Sequence, residues 1–165
     1  MDVKQVLAAA ERLYRAHVLP TLAGSLAAVT EVGLPAAVRQ YQGAGRFWYV
    51  PLRARGREVG FAHLSEGLEL DRYGTWTDDP AEAAALAPSL LEMSPQSVTE
   101  MALAKAREET GPGVEPQGPP ELVYLVAPTR IAWACRVRLP DGRQETVFVT
   151  PEYTWLEEPE GGELE

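Results

Sequence analysis

The sequence predicts an α+β protein in which amphipathic helices pack on antiparallel β-sheet, arranged as two helix–sheet repeats. Three observations carry that expectation. The first seventeen residues after Met1 place Val3, Val6, Leu7, Ala10, Leu13, Tyr14 and Val18 at three- and four-residue steps, one apolar stripe on a helix. The stretch "RIAWACRVRLPDGRQETVFVT", residues 130–150, sets two β-branched and aromatic runs around Pro140-Asp141-Gly142, which is a hairpin. A similar pattern stands earlier in the chain, in "FWYVPLRARGREVGFAHLSEGLEL".

In chain order, a helix over 2–18 stops at Pro20. Gly24, Gly33 and Pro35 then break any long element, so a short helix over 22–29 is expected, followed by irregular chain. "AAVRQYQG" leads into the sheet. "RFWYVPLR" alternates Trp48, Val50 and Leu52 against Phe47 and Tyr49, Ala54-Arg55-Gly56-Arg57 makes a turn, "EVGFAHLS" returns, and "GLELDRYG" adds a third strand. Pro51 has no N–H to give, so its nitrogen is expected at an edge or a bulge. "DDPAEAAALAPSLLEM" starts as a helix, with Asp79 as cap, Pro80 in the first turn and Glu82 placed to reach back, until Pro88 interrupts it. A further helix starts at Ser94-Pro95 and closes at Gly111 and Gly113. After the linker "GPGVEPQGPP" come the strands "ELVYLVA", "IAWACRVRL" and "QETVFVT", with a short fourth, "YTWLEE".

The two β blocks align at offsets of 85 to 87 residues. Trp48 matches Trp133, Gly56 matches Gly142, Arg57 matches Arg143 and Phe61 matches Phe148, and an amphipathic helix precedes each block. The expected division is a first repeat over 1–77, a second over 78–156 and a solvated acidic tail over 157–165, whose "EEPEGGELE" holds five glutamates. On "IAWACRVRL", Ile131, Trp133, Cys135, Val137 and Leu139 face a helix. Ala132, Ala134, Arg136 and Arg138 face away, so a slip of one residue would bury two arginines.

A chain of 165 residues that is 45% hydrophobic has enough apolar side chain for a packed core. Its formal net charge of −9 speaks against nucleic acid as a partner, because phosphate contacts need a basic face. The N-terminus lacks the uninterrupted apolar core of a signal peptide or membrane anchor, which gives the expectation of a cytoplasmic protein without membrane contact. One cysteine, Cys135, makes neither a disulfide within the chain nor a thiolate zinc site.

Chemistry-bearing residues are few. His17 and His63 are the only histidines, and no HExxH, GxGxxG or GxxxxGK[ST] motif occurs. His63, with Ser65 and Glu66 near it, reads as a half-exposed strand histidine rather than a catalytic one, and His17 as a helix-edge residue. Cys135 reads as a small buried hydrophobe. No catalytic, metal or cofactor residue is assigned, and an enzyme is not the favoured expectation. The arginines Arg53, Arg55, Arg57, Arg136, Arg138 and Arg143 form a candidate binding surface for an acidic peptide or anion, against the plainer reading of a solvated sheet face. Both faces of "RFWYV" are aromatic, so one must be covered by another element, a ligand or a second subunit, which makes a homodimer an expectation.

"ELVYLVAPTRIAWACRVRLPDGRQETVFVT", preceded by the helix carrying "MALAKAREE", resembles the PepSY and related propeptide domains of secreted bacterial metalloproteases. The likeness runs from Val98 to Trp155, and "RFWYVPLRARGREVGFAHLS" is similar to a second, more diverged copy. The resemblance implies a cystatin-like helix on antiparallel sheet and a binding or inhibitory role without catalysis, directed at a protein or peptide. It carries over no functional residue. Leading helices followed by a curved sheet also suit a cone-shaped small-ligand-binding domain or enzyme of the nuclear-transport-factor-2-like kind, with His63 or a carboxylate inside a cavity.

Overall fold

The computed structural model describes residues 1–157, and the acidic tail expected over 157–165 lies outside them apart from Glu157. The protein is α+β, with helices packed on antiparallel strands. It divides into two compact units, Met1–Glu92 and a second beginning at Met93. The division falls after Glu92 rather than after residue 77.

In the first unit, α1 (Val3–Leu13) begins with a capping box. The Asp2 carboxylate accepts from the Lys4 N–H and the Gln5 amide oxygen accepts from the Asp2 N–H. It buries Val6, Ala9 and Ala10. The helix continues to Val18 as expected, but its last part, Tyr14–Val18, widens to a π turn that keeps Tyr14 and Val18 against Leu52. Pro20 sits in the 3-10 turn Leu19–Thr21 that ends it. After the one-turn α2 (Gly24–Ala27) come β1 (Thr30–Val32), β2 (Ala36–Gln40), β3 (Arg46–Ala54), β4 (Arg57–Ser65) and β5 (Leu70–Thr75). β1 replaces the irregular chain expected there.

The strands run antiparallel in the order β2-β3-β4-β5, with β1 also paired to β3. Pro51 explains how β3 serves two partners on one side. Its carbonyl accepts from Gly33 at 2.8 Å, between the part of β3 paired with β2 and the part paired with β1. The Pro51 nitrogen faces the same gap, so no ladder bond is lost. Arg55 and Gly56 both have positive φ, 54° and 75°, and make the tight two-residue turn to β4.

The expected helix after Asp79 forms only as two 3-10 segments, Pro80–Ala85 and Leu90–Glu92. Asp79 caps through Ala81 N–H, but Glu82 accepts from the Thr77 hydroxyl instead of completing a box. Pro88 also disfavours α geometry at Ala87, leaving too few residues to offset helix nucleation.

The second unit opens with α3 (Pro95–Thr110), capped by Ser94 and closed by Gly111 at φ 92°. It continues through β6 (Glu115–Pro116), β7 (Glu121–Tyr124), β8 (Ile131–Arg138), β9 (Gln144–Val149) and β10 (Thr154–Leu156). The order is β7-β8-β9-β10, antiparallel, with β6 also paired to β8. Val98, Ala102 and Ala106 of α3 pack on Cys135, Val137, Leu139, Val147 and Val149, with half-buried Trp133 against them. Arg136 and Arg138 are exposed, as the alternation requires. Each large apolar side chain so buried stabilises by roughly 1.5–3 kcal/mol.

The two units share connectivity and register. Trp48 lies opposite Ala37 and Leu64, and Trp133 opposite Leu122 and Val149; all three positions differ by 85. Tyr49 lies between Ala36 and His63, and Ala134 between Glu121 and Phe148, again 85 apart. Even the seam recurs, with Gly33 N–H donating to Pro51 and Gln117 N–H donating to Arg136, each at 2.8 Å. Trp48 packs against the cluster that Val6 and Ala10 of α1 form with Val50, Ala62 and Leu64, as Trp133 packs against the α3 cluster. One sequence match is corrected: the ladder counterpart of Phe148 is His63, and that of Phe61 is Thr146. The larger offset at the turns arises because Arg55-Gly56 spans two residues and Pro140-Asp141-Gly142 three, a difference absorbed by the bulge at Leu52/Arg53.

Candidate functional site

The polar chemistry of the first unit gathers on the face of β3 and β4 turned away from α1. Phe47, Tyr49, Phe61 and His63 lie there by alternation, with ring centroids 4.4 Å apart for Phe47–His63, 4.9 Å for Phe61–His63 and 5.5 Å for Tyr49–His63. His63 is 2% exposed, which corrects the expectation of a half-exposed histidine. Its Nδ1 is buried without a hydrogen-bond partner. Burial, and then the nearby Arg72, bring its pKa down to about 4, so the imidazole is neutral at pH 7.

On this face Phe47 and His63 are buried, Tyr49 and Phe61 are half-buried, and Trp76, beside Phe61, is exposed.

The bulge at Leu52/Arg53 turns Glu58 inward, where it is 2% exposed. Its carboxylate accepts from the hydroxyls of Tyr49 and Ser89. Desolvation raises its pKa, partly countered by those two hydrogen bonds. The Tyr49 hydroxyl is also held protonated, by burial first and by Glu58 second. Glu92 accepts from the Glu58 N–H at 2.8 Å and pairs with Arg57 at 3.3 Å, while Arg57 also donates to the Ala84 and Leu86 carbonyls. This clasp fastens residues 84–92 to the β3–β4 hairpin, which is why they belong to the first unit.

The candidate arginines do not form one free basic surface. Arg57 is engaged in the clasp. Arg53 is half-buried, its Nε without a hydrogen-bond partner among the described residues, and Arg55 at the turn is exposed. In the second unit Arg138 pairs with Glu115 at 2.9 Å and Arg143 with Asp141 at 2.7 Å and Glu145 at 3.7 Å, while Arg136 is exposed. His17 is exposed on its helix. Cys135 is buried and its thiol pKa pushed up to about 11 by desolvation, which suits a core residue and not a nucleophile. Among the described residues, no three His, Cys, Asp or Glu side chains gather as a metal set, and no helix is long and apolar enough to cross a membrane.

A different place in the second unit offers access. Among the described residues, β10 has β9 as its only ladder partner. Glu157 N–H donates to Thr146 and Thr150 N–H to the Tyr153 carbonyl, so residues 153, 155 and 157 turn their backbone groups toward β9. Thr154 and Leu156 alternate with them and turn theirs outward. A groove of about 540 Å³ wraps this edge, lined by Lys105 and Glu109 of α3, by Phe148, and by Thr154, Trp155, Leu156 and Glu157. Trp155 and Phe148 have ring centroids 5.4 Å apart. Trp155 sits at the centre of a three-residue strand whose ladder partner among the described residues is β9.

No family model, curated protein or solved structure matches the chain.

Proposed function

We propose that the chain is a non-catalytic binding module whose partner is a protein or peptide segment added as a strand along β10. The observation that carries this reading is the outward backbone of Thr154 and Leu156 beside a groove lined by Trp155. Main-chain hydrogen bonds along an open edge supply affinity, and pockets for alternate side chains supply selectivity. The common register of the two units supports a tandem of one ancestral helix–sheet unit. α3 lying on β8, β9 and β10 supports the kinship with PepSY-like propeptide domains. A cytoplasmic setting belongs to the same reading, and a buried free thiol at Cys135 suits a reducing compartment.

The test is selection of binders from a displayed peptide library on the full chain, followed by amide NMR of the complex. Shifts concentrated at 154–157 and 105–109 are expected; binders that shift other regions alone overturn the reading. The second reading, a small-ligand domain, draws on one observation, the buried His63 Nδ1 without a partner. A ligand there would move the His63 imidazole resonances and leave β10 unchanged.

A further inference from the structure

We propose that residues 87–92 form a latch on the first unit that closes by taking up a proton: the segment is docked while Glu58 is protonated and is released when Glu58 ionises. The latch belongs to the first unit and asks nothing of the β10 edge. Before the segment, Ala83 is buried with Leu26, Ala54 and Val59, and Leu86 packs on the same cluster. Beyond that anchor, Ala87 and Pro88 are exposed, and Ser89, Leu90, Leu91 and Glu92 are only half-buried. Polar ties fasten the segment to two adjacent residues of β4. Ser89 donates to the Glu58 carboxyl, while the Glu92 carboxylate accepts from the Glu58 N–H at 2.8 Å and pairs with Arg57 at 3.3 Å. A stretch held with so little apolar burial opens locally at a lower free energy than the unit as a whole.

Glu58 is the member of this cluster that water scarcely reaches, being 2% exposed. Facing it are the Tyr49 hydroxyl and Arg53 from β3, Arg57 beside it on β4, and Ser89 and Glu92 from the segment. Glu82, on the 3-10 turn before the segment, is exposed and accepts from Thr77 instead. Glu92 already supplies the charge that Arg57 pairs with. Ionising Glu58 therefore sets a second carboxylate beside Glu92 in a dry site, with Arg53, its cross-strand neighbour, as partial compensation. Burial is the largest influence and raises the Glu58 pKa; the Ser89 and Tyr49 hydroxyls and Arg53 offset part of the rise, and Glu92 adds to it. When the segment lifts away, Ser89 and Glu92 leave with it and Glu58 regains water, so its pKa falls back toward the ordinary carboxylate value. A pKa raised in the docked state makes docking strongest below that ordinary value and weakens it as pH rises through the docked one.

The test uses the full chain with Ala87→Cys, an exposed position, carrying a nitroxide; Cys135 is buried, its thiol pKa raised by desolvation, and stays unlabelled. Electron paramagnetic resonance should show a slow-moving label at about pH 5 and a mobile fraction that grows severalfold, and reversibly, by about pH 9. With Glu58→Gln the label should stay slow over the whole range, because the amide still bonds the two hydroxyls and has no proton to lose. Independently of that variant, the carboxyl carbon resonance of Glu58 in the wild type should titrate with the same midpoint as the release. A label whose mobility does not change with pH, or one that loosens alike in wild type and Glu58→Gln, overturns the latch. Loss of amide protection at Val59 and Ala62 at the pH of release also overturns it, because the whole unit is then opening. A Glu58 midpoint apart from that of release does the same, and it decides alone should Glu58→Gln not fold.

Discussion

His63→Phe should make the protein markedly less sensitive to acid. The second unit already carries phenylalanine at the matching ladder position, Phe148. His63 is almost fully enclosed, so solvent does little to screen its burial. Its folded pKa is about 4 against an ordinary value of 6.5. For a base with a depressed folded pKa, the associated stability is present above pH 6.5 and is lost as pH falls toward 4, because the unfolded chain takes up the proton first. At pH 4.5 the loss amounts to about 2.5 kcal/mol, from about 1.4 kcal/mol per pH unit over most of that interval. The variant has nothing to protonate there. Its packing cost and the relief of the unpartnered Nδ1 shift its stability equally at every pH, so the difference between wild type and variant isolates the titration. Urea unfolding at pH 7.5 and 4.5, followed at first-unit amides such as Ala62 and Leu64, measures it. Parallel losses of stability in both proteins would refute the argument.

Ser89→Ala removes one of the two hydroxyls that hold the buried Glu58 carboxyl, and should cost about 1–3 kcal/mol, the desolvation penalty of a buried polar group left short of a partner. In a Glu58→Gln background the same change should cost about 1 kcal/mol or less, and simple additivity of the two substitutions would argue against the Ser89–Glu58 hydrogen bond. Because burial raises the Glu58 pKa, its stabilising contribution is present below its ordinary pKa and falls as pH rises through the folded value; Glu58→Gln should flatten that part of the pH–stability curve. Gly60→Ala would bring a Cβ to 2.3 Å from the Gly74 carbonyl oxygen and 3.0 Å from Thr75 Cα, so a loss of at least about 2 kcal/mol is expected, seen as early exchange of the β4–β5 amides.

Much of the fold was legible because the side-chain periods are simple. The stripe from Val3 to Val18, the alternation around Trp133 and the Gly142 turn each state one local preference, and tertiary packing agrees with it. The 3-10 segments after Asp79 were hidden because a good cap says nothing of what lies beyond it. Pro88 and the pull of Thr77 on Glu82 decide the outcome. β1 was hidden for the opposite reason, since three residues show no period and pair only because β3 is long enough to receive them. The site was the least legible part. Glu58 reads as a surface residue until a bulge turns it inward, and the arginines read as one surface until Arg57, Arg138 and Arg143 each take a carboxylate neighbour. Pairing partners thirty residues away leave no mark in local sequence.

The constant spacing of 85 residues has a practical sequel. Residues 36–64 and 121–149 are equal in length and meet matching partners along their ladders except between the bulge at Leu52/Arg53 and the turn. A hybrid gene carrying one segment in place of the other would keep the order of strands while exchanging the side chains and the turn with its bulge, which separates what the strand order demands from what each half carries of its own.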